Sequence, residues 1–444
     1  MRSNKRTILF LIAISLCTFA LYGCGGGADS PTAHSSSQPS SVSVPGEEQA
    51  TMTAVRFLED KIKGDPQDFI AHIKLANYYL QFLRESGNSA YLDLASRAGR
   101  ASLEVLPAEM NPGGLSALAQ VEIASHDFAA ARDHALLLTQ MEPRKSYPYE
   151  ILADALLELG QYDEAGTALR NLERFADSPG SQMRLARFAF LRGQTDIARK
   201  HLESALALIS NNGASLRETL AWCQWQLGET AFSTGEYDSA ERYYLDALNA
   251  FPNYSRALAS LGRVRAARGD LPGAIARYQQ AMQVYPDPAF AAALGDIFKL
   301  SGNEKEAADQ YALVEQVARL SAANGSLYNR QLALFYADHD LNVGQAYEIA
   351  AREYEARKDI YGADVLAWTA LKAGKIAEAQ AAIKEALRLG TRDARLFYHA
   401  GMIARAAGDA RSARDFINRA LKLNPGFDPL QASIARKVIE ESND

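Results

Sequence analysis

The chain has 444 residues, 48% of them hydrophobic and 23% charged, with a net charge of −6 at pH 7. That is a globular composition with room for about three ordinary domains or one long repeat array. It excludes a wholly disordered chain and a polytopic membrane protein. The acidic balance argues against a nucleic-acid binder that works through a basic surface.

Residues 1–23 predict a secretory leader. Arg2, Lys5 and Arg6 precede an uncharged, mostly apolar run from Ile8 to Tyr22, too short to span a bilayer comfortably, which takes about 20 residues. The following Leu21-Tyr22-Gly23-Cys24 resembles the cleavage box of bacterial lipoproteins. That resemblance implies a diacylglycerol on Cys24, which becomes the new N-terminus. Tyr22 is larger than the pattern prefers, and an ordinary leader with Cys24 incidental is the alternative.

Residues 24–50 read as a tether, since Gly25 to Gly46 is Gly, Ser and Pro with almost no charge. Such a segment cannot bury a core, and its mean reach is roughly 25 Å. By the sorting rule of Gram-negative lipoproteins, Gly25 after the cysteine implies the outer membrane, with the body facing the periplasm. With Cys17 in the leader and Cys24 lipidated, Cys223 is left alone and no intrachain disulfide is expected.

Beyond the tether the apolar residues recur at helical spacing. Residues 51–68 predict a leading helix, 69–428 a repeated unit and 429–444 a C-terminal capping helix. The unit shows in Ala165, Ala198, Ala240, Ala274, Ala307, Ala379 and Ala413, each preceded five residues earlier by a glycine: Gly160, Gly193, Gly235, Gly269, Gly302, Gly374 and Gly408. Ala131 and Ala346 fit the same frame without the glycine, and the commonest interval is 33 or 34 residues. A proline follows the alanine by 12 residues at Pro107, Pro143, Pro252, Pro286 and Pro425. Glycine ends a helix in the left-handed conformation without a Cβ clash. Alanine lets two helices approach closely, and proline, lacking an N–H, stops the second helix. The unit is therefore an antiparallel helix pair. His126 stands where the other units place glycine, which fits a turn residue tolerated at positive φ.

These marks resemble the tetratricopeptide repeat. Residues 221–254 carry them most fully, in Leu227, Gly228, Ala240, Tyr244, Ala247 and Pro252, and 255–287 and 394–427 repeat them. Weaker copies cover 112–145, 146–178, 179–212, 288–321, 327–359 and 360–393, and a longer pair covers 69–107. The resemblance implies an all-α, right-handed superhelical solenoid of about ten repeats. It implies about eight repeats per turn, hence slightly more than one turn around an extended concave groove lined by the first helix of each pair. In a repeat array of nearest-neighbour contacts, stability adds along the chain and the ends fray first.

The family's groove slots on the first helices hold Arg184, Arg187, Trp222, Trp225, Glu229, Arg256, Arg263, Phe335, Tyr361, Trp368, Tyr398 and Arg405, with Tyr328, His399 and Met402 among them. Aromatic and Arg side chains anchor interfaces, although each of these has packing as its alternative role. The Lys/Asn pattern of the family's chaperone-tail clamp is missing: Asn77 fills one slot, but Ile73 stands where another polar residue belongs.

Two clusters invite a chemical reading. Cys223 lies between Trp222 and Trp225 with no histidine near it in sequence, which favours inert filling over a nucleophile. Asp338-His339-Asp340 falls where a helix should end. Consecutive residues of a helix do not converge on one ion, so a solvated capping role is favoured over metal binding. No catalytic, phosphate-binding or paired-cysteine motif is present. The expectation is a non-enzymatic scaffold, without cofactor, metal or nucleic acid, that binds a protein or peptide partner in its groove. A periplasmic small-molecule or glycan binder is the alternative.

Overall fold

A computed structural model describes residues 45–86, 88–210, 217–323 and 330–441. The leader, Cys24, most of the tether and Tyr328 lie outside the described residues. The rest is helix upon helix. In chain order these are α1 (Pro45–Gly64), α2 (Phe69–Ser86), α3 (Ala90–Val105), α4 (Pro112–Ala124), α5 (Phe128–Met141), α6 (Tyr147–Glu158), α7 (Tyr162–Phe175) and α8 (Pro179–Leu191). There follow α9 (Thr195–Ser210), α10 (Arg217–Ser233), α11 (Tyr237–Ala250), α12 (Ser255–Ala267), α13 (Leu271–Val284), α14 (Pro288–Leu300) and α15 (Glu304–Ala323). The last are α16 (Arg330–Asp338), α17 (Val343–Ala356), α18 (Ile360–Lys372), α19 (Ile376–Ala386), α20 (Ala394–Ala406), α21 (Ala410–Leu423) and α22 (Gln431–Glu441). Helix α1 begins at Pro45, before the expected Thr51, and lays Val55 and Leu58 into the cluster formed with α2 and α3.

Local chemistry sets these boundaries. Helices α3, α5, α11, α13 and α21 each end two residues before a proline, as a residue without an N–H requires. Asn111, Asp127, Asp270, Asp359 and Asp409 accept from backbone N–H groups of the first turns of α4, α5, α13, α18 and α21, which satisfies donors the helices cannot. All seven repeat glycines have positive φ, and His126 adopts the same conformation at φ 64°. The repeat alanines are buried. Facing them, a glycine on the first helix receives a tyrosine ring from the second: a Cβ on Gly262 would stand 2.8 Å from the Tyr278 ring. Truncating a fully buried side chain such as Leu138 or Leu172 should cost about 2–5 kcal/mol.

The curvature is tighter than eight repeats per turn. The end of α6 and the turn after it meet the chain just past α17. Arg357 pairs with Glu158, and the Ile360 N–H donates to the Tyr162 hydroxyl at 2.9 Å. Arg388 donates to the Gly160 carbonyl at 2.8 Å, and the Thr391 hydroxyl to the Leu191 carbonyl. Further along, Asn424 donates through Nδ2 to the Phe232 carbonyl at 2.7 Å and accepts at Oδ1 from the Tyr237 hydroxyl at 2.5 Å. One apolar cluster accordingly joins Leu157, Leu169 and Leu191 to Ile360, Ile383 and Leu396. The repeat at 146–178 thus touches those at 327–359 and 360–393, and the repeat at 221–254 touches that at 394–427. The superhelix closes on itself after about five repeats. The expected open groove is replaced by a half-open chamber, and the array has contacts well beyond nearest neighbours.

Candidate functional site: a chamber inside the superhelix

Closure leaves a chamber of about 980 Å³ lined mainly by first helices: α6, α8, α10, α18 and α20, with Arg263 of α12 and Arg330 and Leu334 of α16. Of the groove candidates, Arg184, Arg187, Trp222, Trp225, Glu229, Arg263 and Tyr361 line it. The others do not. Phe335, Trp368 and Tyr398 are buried in the core. Phe335 lies between Tyr311 and His339, and Trp368 stacks on the fully buried His399 at 4.2 Å. Tyr398 packs on Phe427. Arg405 sits outside, paired with Glu441, and Arg256 is exposed beyond the lining with its guanidinium over the Trp225 ring. Slot numbering fails at Trp368 because α16 and α20 cover that face of α18; Asp338 takes its indole N–H.

Polar wall groups are tied to one another. Glu229 accepts from the Tyr244 hydroxyl (2.7 Å), the Ser260 hydroxyl (2.8 Å) and Arg263 (2.5 Å). Burial pushes its carboxyl up, but Arg263 and those hydroxyls hold it below the ordinary value. Arg184 bridges Glu150 and Asp154. A longer chain of ion pairs runs Arg187, Glu158, Arg357, Asp359, Arg330, Glu353. Its three guanidinium groups match three carboxylates and bridge two turns of the superhelix. Burial pushes Glu158 up, and Arg187 with Arg357 more than offsets it. Glu353 is raised, because burial outweighs Arg330 there. Trp225 donates its indole N–H to Ser260 at 3.0 Å, so its ring is fixed from behind.

Asp154, Glu158, Asp364 and Arg395 also line the chamber and were missed among the groove candidates. All four occupy the same slots of their first helices that supplied the others; Asp154, Glu158 and Asp364 are neither aromatic nor Arg, whereas Arg395 is of the anchoring type and its slot was legible in the sequence. Arg330 and Asp359 lie outside those slots, and only the closure brings them in.

The two chemical clusters resolve as follows. Cys223 is buried, its thiol donates to the Leu202 carbonyl at 3.3 Å, and burial pushes it up to about 12, so the thiolate a nucleophile needs is suppressed. Asp338, His339 and Asp340 diverge to three partners: Trp368, Asp296 and Lys372. Only Asp340 is the exposed turn residue expected; the other two are packed inward.

Tetratricopeptide repeat patterns match residues 147–171, 177–253, 225–283, 260–323 and 365–426, together more than half of the chain. The chain belongs to the tetratricopeptide repeat family. No curated protein matches it in sequence. Among solved structures it is similar to the human IFIT1 dimer with PPP-AAAA, at 16% identity over 76% of this chain and 78% of that one, with a TM-score of 0.47. It is also similar to MamA, at 20% identity over 38% and 94% of the two chains (TM-score 0.31), and to BtubC from P. vanneervenii, at 21% over 47% and 92% (TM-score 0.36). These likenesses concern the helical repeat fold. As a class, the protein is a repeat scaffold for binding a protein or another ligand.

Proposed function

We propose that the protein is a non-enzymatic scaffold, lipid-tethered through Cys24 at the outer membrane on its periplasmic side, that holds an extended segment of a protein partner in the chamber. The observation that carries the binding reading is the wall itself. Trp222, Tyr361 and Phe190 offer apolar faces among fixed guanidinium and carboxylate groups, the mixture that anchors peptide segments. A volume of about 980 Å³ suits a few residues of extended chain and not a folded domain. The basic leader, the Cys24 box and the uncharged tether support the address. Among the described residues no helix is long and apolar enough to cross a membrane.

The test places a photo-crosslinking residue at Gln226, on the chamber wall, or at the exposed Leu136 as control, in cells carrying the full chain. A protein adduct specific to position 226 is expected; equal adducts at both positions, or none, would sink the reading. Cys24→Ser should abolish labelling by radioactive palmitate, and persistent labelling would remove the tether from the proposal. One observation favours a second reading, a small-molecule or glycan ligand: the volume also lies within the usual range of small-ligand sites. That reading gains if no adduct forms while a small oligosaccharide raises the melting temperature.

A further inference from the structure

A contact at the C-terminal end of the array carries an unused hydrogen-bonding group. Asp338 closes α16, and its carboxyl Oδ1 accepts from Trp368 Nε1 at 2.8 Å and from Gln431 Nε2 at 2.5 Å. Gln431 opens α22 and is 5% exposed, yet its Oε1 has no hydrogen-bond partner. A buried amide oxygen without a donor is costly. An ionised Asp338 cannot supply one, because a carboxylate only accepts.

The surroundings disfavour the ionised form. From the loop before α22 comes Asp428, whose carboxylate caps that helix by accepting from the N–H groups of Leu430 (2.9 Å) and Gln431 (2.8 Å). From α18 comes Trp368. From α20 come Arg395, Tyr398 and His399, the last already engaged through Nδ1 with Asp364 at 2.8 Å. On its own element stands His339, bound to Asp296. Among the described residues no Lys or Arg forms an ion pair with Asp338 or Asp428.

We propose that Asp338 and Gln431 form a proton-dependent latch on the C-terminal helix. In the neutral acid, Asp338 accepts from Gln431 Nε2 and donates its O–H to Gln431 Oε1, closing a two-bond acid–amide ring that holds α22 against α16. Release of that proton to solvent leaves Oε1 without a donor, sets a carboxylate beside that of Asp428, and loosens α22. Burial first, and then Asp428, push the Asp338 carboxyl up to about 6, against the opposing pull of His399, Arg395 and Trp368. The folded value lies above the unfolded one near 3.9. The stabilisation is therefore fully present below the unfolded value and is lost as pH rises through the folded one. Arg395 and Phe427, which flank the latch in α20 and the preceding loop, line the chamber, so loosening α22 reaches the chamber wall.

The test is amide hydrogen exchange of residues 431–441 in the full chain, corrected for intrinsic rates, at pH 5 and pH 7.5. Protection of α22 should fall about tenfold between the two, the ratio that a shift from near 3.9 to about 6 produces. Asp338→Asn, which stays neutral and can donate to Oε1, should keep α22 protected at both pH values. Gln431→Met, which removes the amide and keeps the volume, should cost more protection at pH 5 than at pH 7.5. A flat wild-type response, an unchanged pH slope in Asp338→Asn, or an equal cost of Gln431→Met at both pH values would each overturn the latch.

Discussion

Two sets of repeat turns carry the same residue in the same conformation and sit in different surroundings. Gly160, Gly193 and Gly235 have φ of 69°, 69° and 78°; Gly269, Gly302, Gly374 and Gly408 have φ of 76° to 82°. A Cβ on any of the latter four would meet nothing within 4 Å. A Cβ on Gly160 would run into the Lys358 carbonyl, one on Gly193 into the Gly390 carbonyl, and one on Gly235 would stand 3.1 Å from the Leu423 carbonyl. The first set forms the seam where one superhelical turn rests on the next, and the second set faces open space. A local requirement for positive φ is common to all seven. A requirement for close backbone approach belongs to three of them, and nothing in their own sequence neighbourhoods marks it.

That contrast can be broken by substitution. The largest effect is expected from Gly160→Ala and Gly193→Ala, which combine left-handed strain of about 1–2 kcal/mol with a clash against distant backbone. A loss of about 3–5 kcal/mol in urea unfolding is expected, against about 1–2 kcal/mol for Gly269→Ala; equal losses would erase the distinction between seam and open turns. Next comes the ion pair across the seam. Arg357→Met leaves Glu158, at 8% exposure, with one guanidinium fewer and should cost about 2–4 kcal/mol at pH 7. Because Glu158 is held below its unfolded value, its contribution is present above that value and lost as pH falls through the folded one. The gap between wild type and Arg357→Met should therefore narrow in acid. Removing the exposed Lys372–Asp340 pair on the open side should change stability by less than about 1 kcal/mol.

An effect smaller than that of Arg357→Met, with a longer reach, is expected from Asn424→Ala. It removes the donor to the Phe232 carbonyl and the acceptor of the Tyr237 hydroxyl, at a cost of about 1–3 kcal/mol. Exchange should quicken at the start of α11, far away in sequence; a change confined to α21 and α22 would mean that the seam does not couple the two turns. The smallest effect concerns Cys223. Peptide mapping after alkylation of the native protein at pH 8 should find that residue unmodified, and modified once urea exposes it; native labelling would contradict its burial.

The fold was legible wherever one residue's covalent nature decides the matter. Gly193, Ala198 and Pro252 mark turn, close approach and stop through a missing Cβ, a small volume and a missing N–H, and the helices begin and end accordingly. His126 was legible from the repeat frame, since it stands five residues before Ala131 where other units carry glycine, and its φ is 64°. The site was legible only in part. Arg184, Arg187, Trp222 and Tyr361 were found from their slots, while Phe335, Trp368 and Tyr398 occupy equivalent slots and are covered by neighbouring helices. Whether a slot faces the chamber or a packed helix depends on how adjacent pairs rotate, which no single slot records.

The sequence alone determined that this chain is an array of helix pairs, since period, caps and breakers act over a few residues; that its first helices turn inward was implied by the family resemblance. The tertiary structure decided that the array closes after about five repeats, and therefore that the groove is a chamber walled by Glu158, Arg330 and Asp359 as well as by the expected aromatics. Superhelical pitch is the sum of small rotations between successive repeats. Contacts such as Glu158 with Arg357 join residues 199 positions apart, so they exist only once those rotations have accumulated into a closed turn.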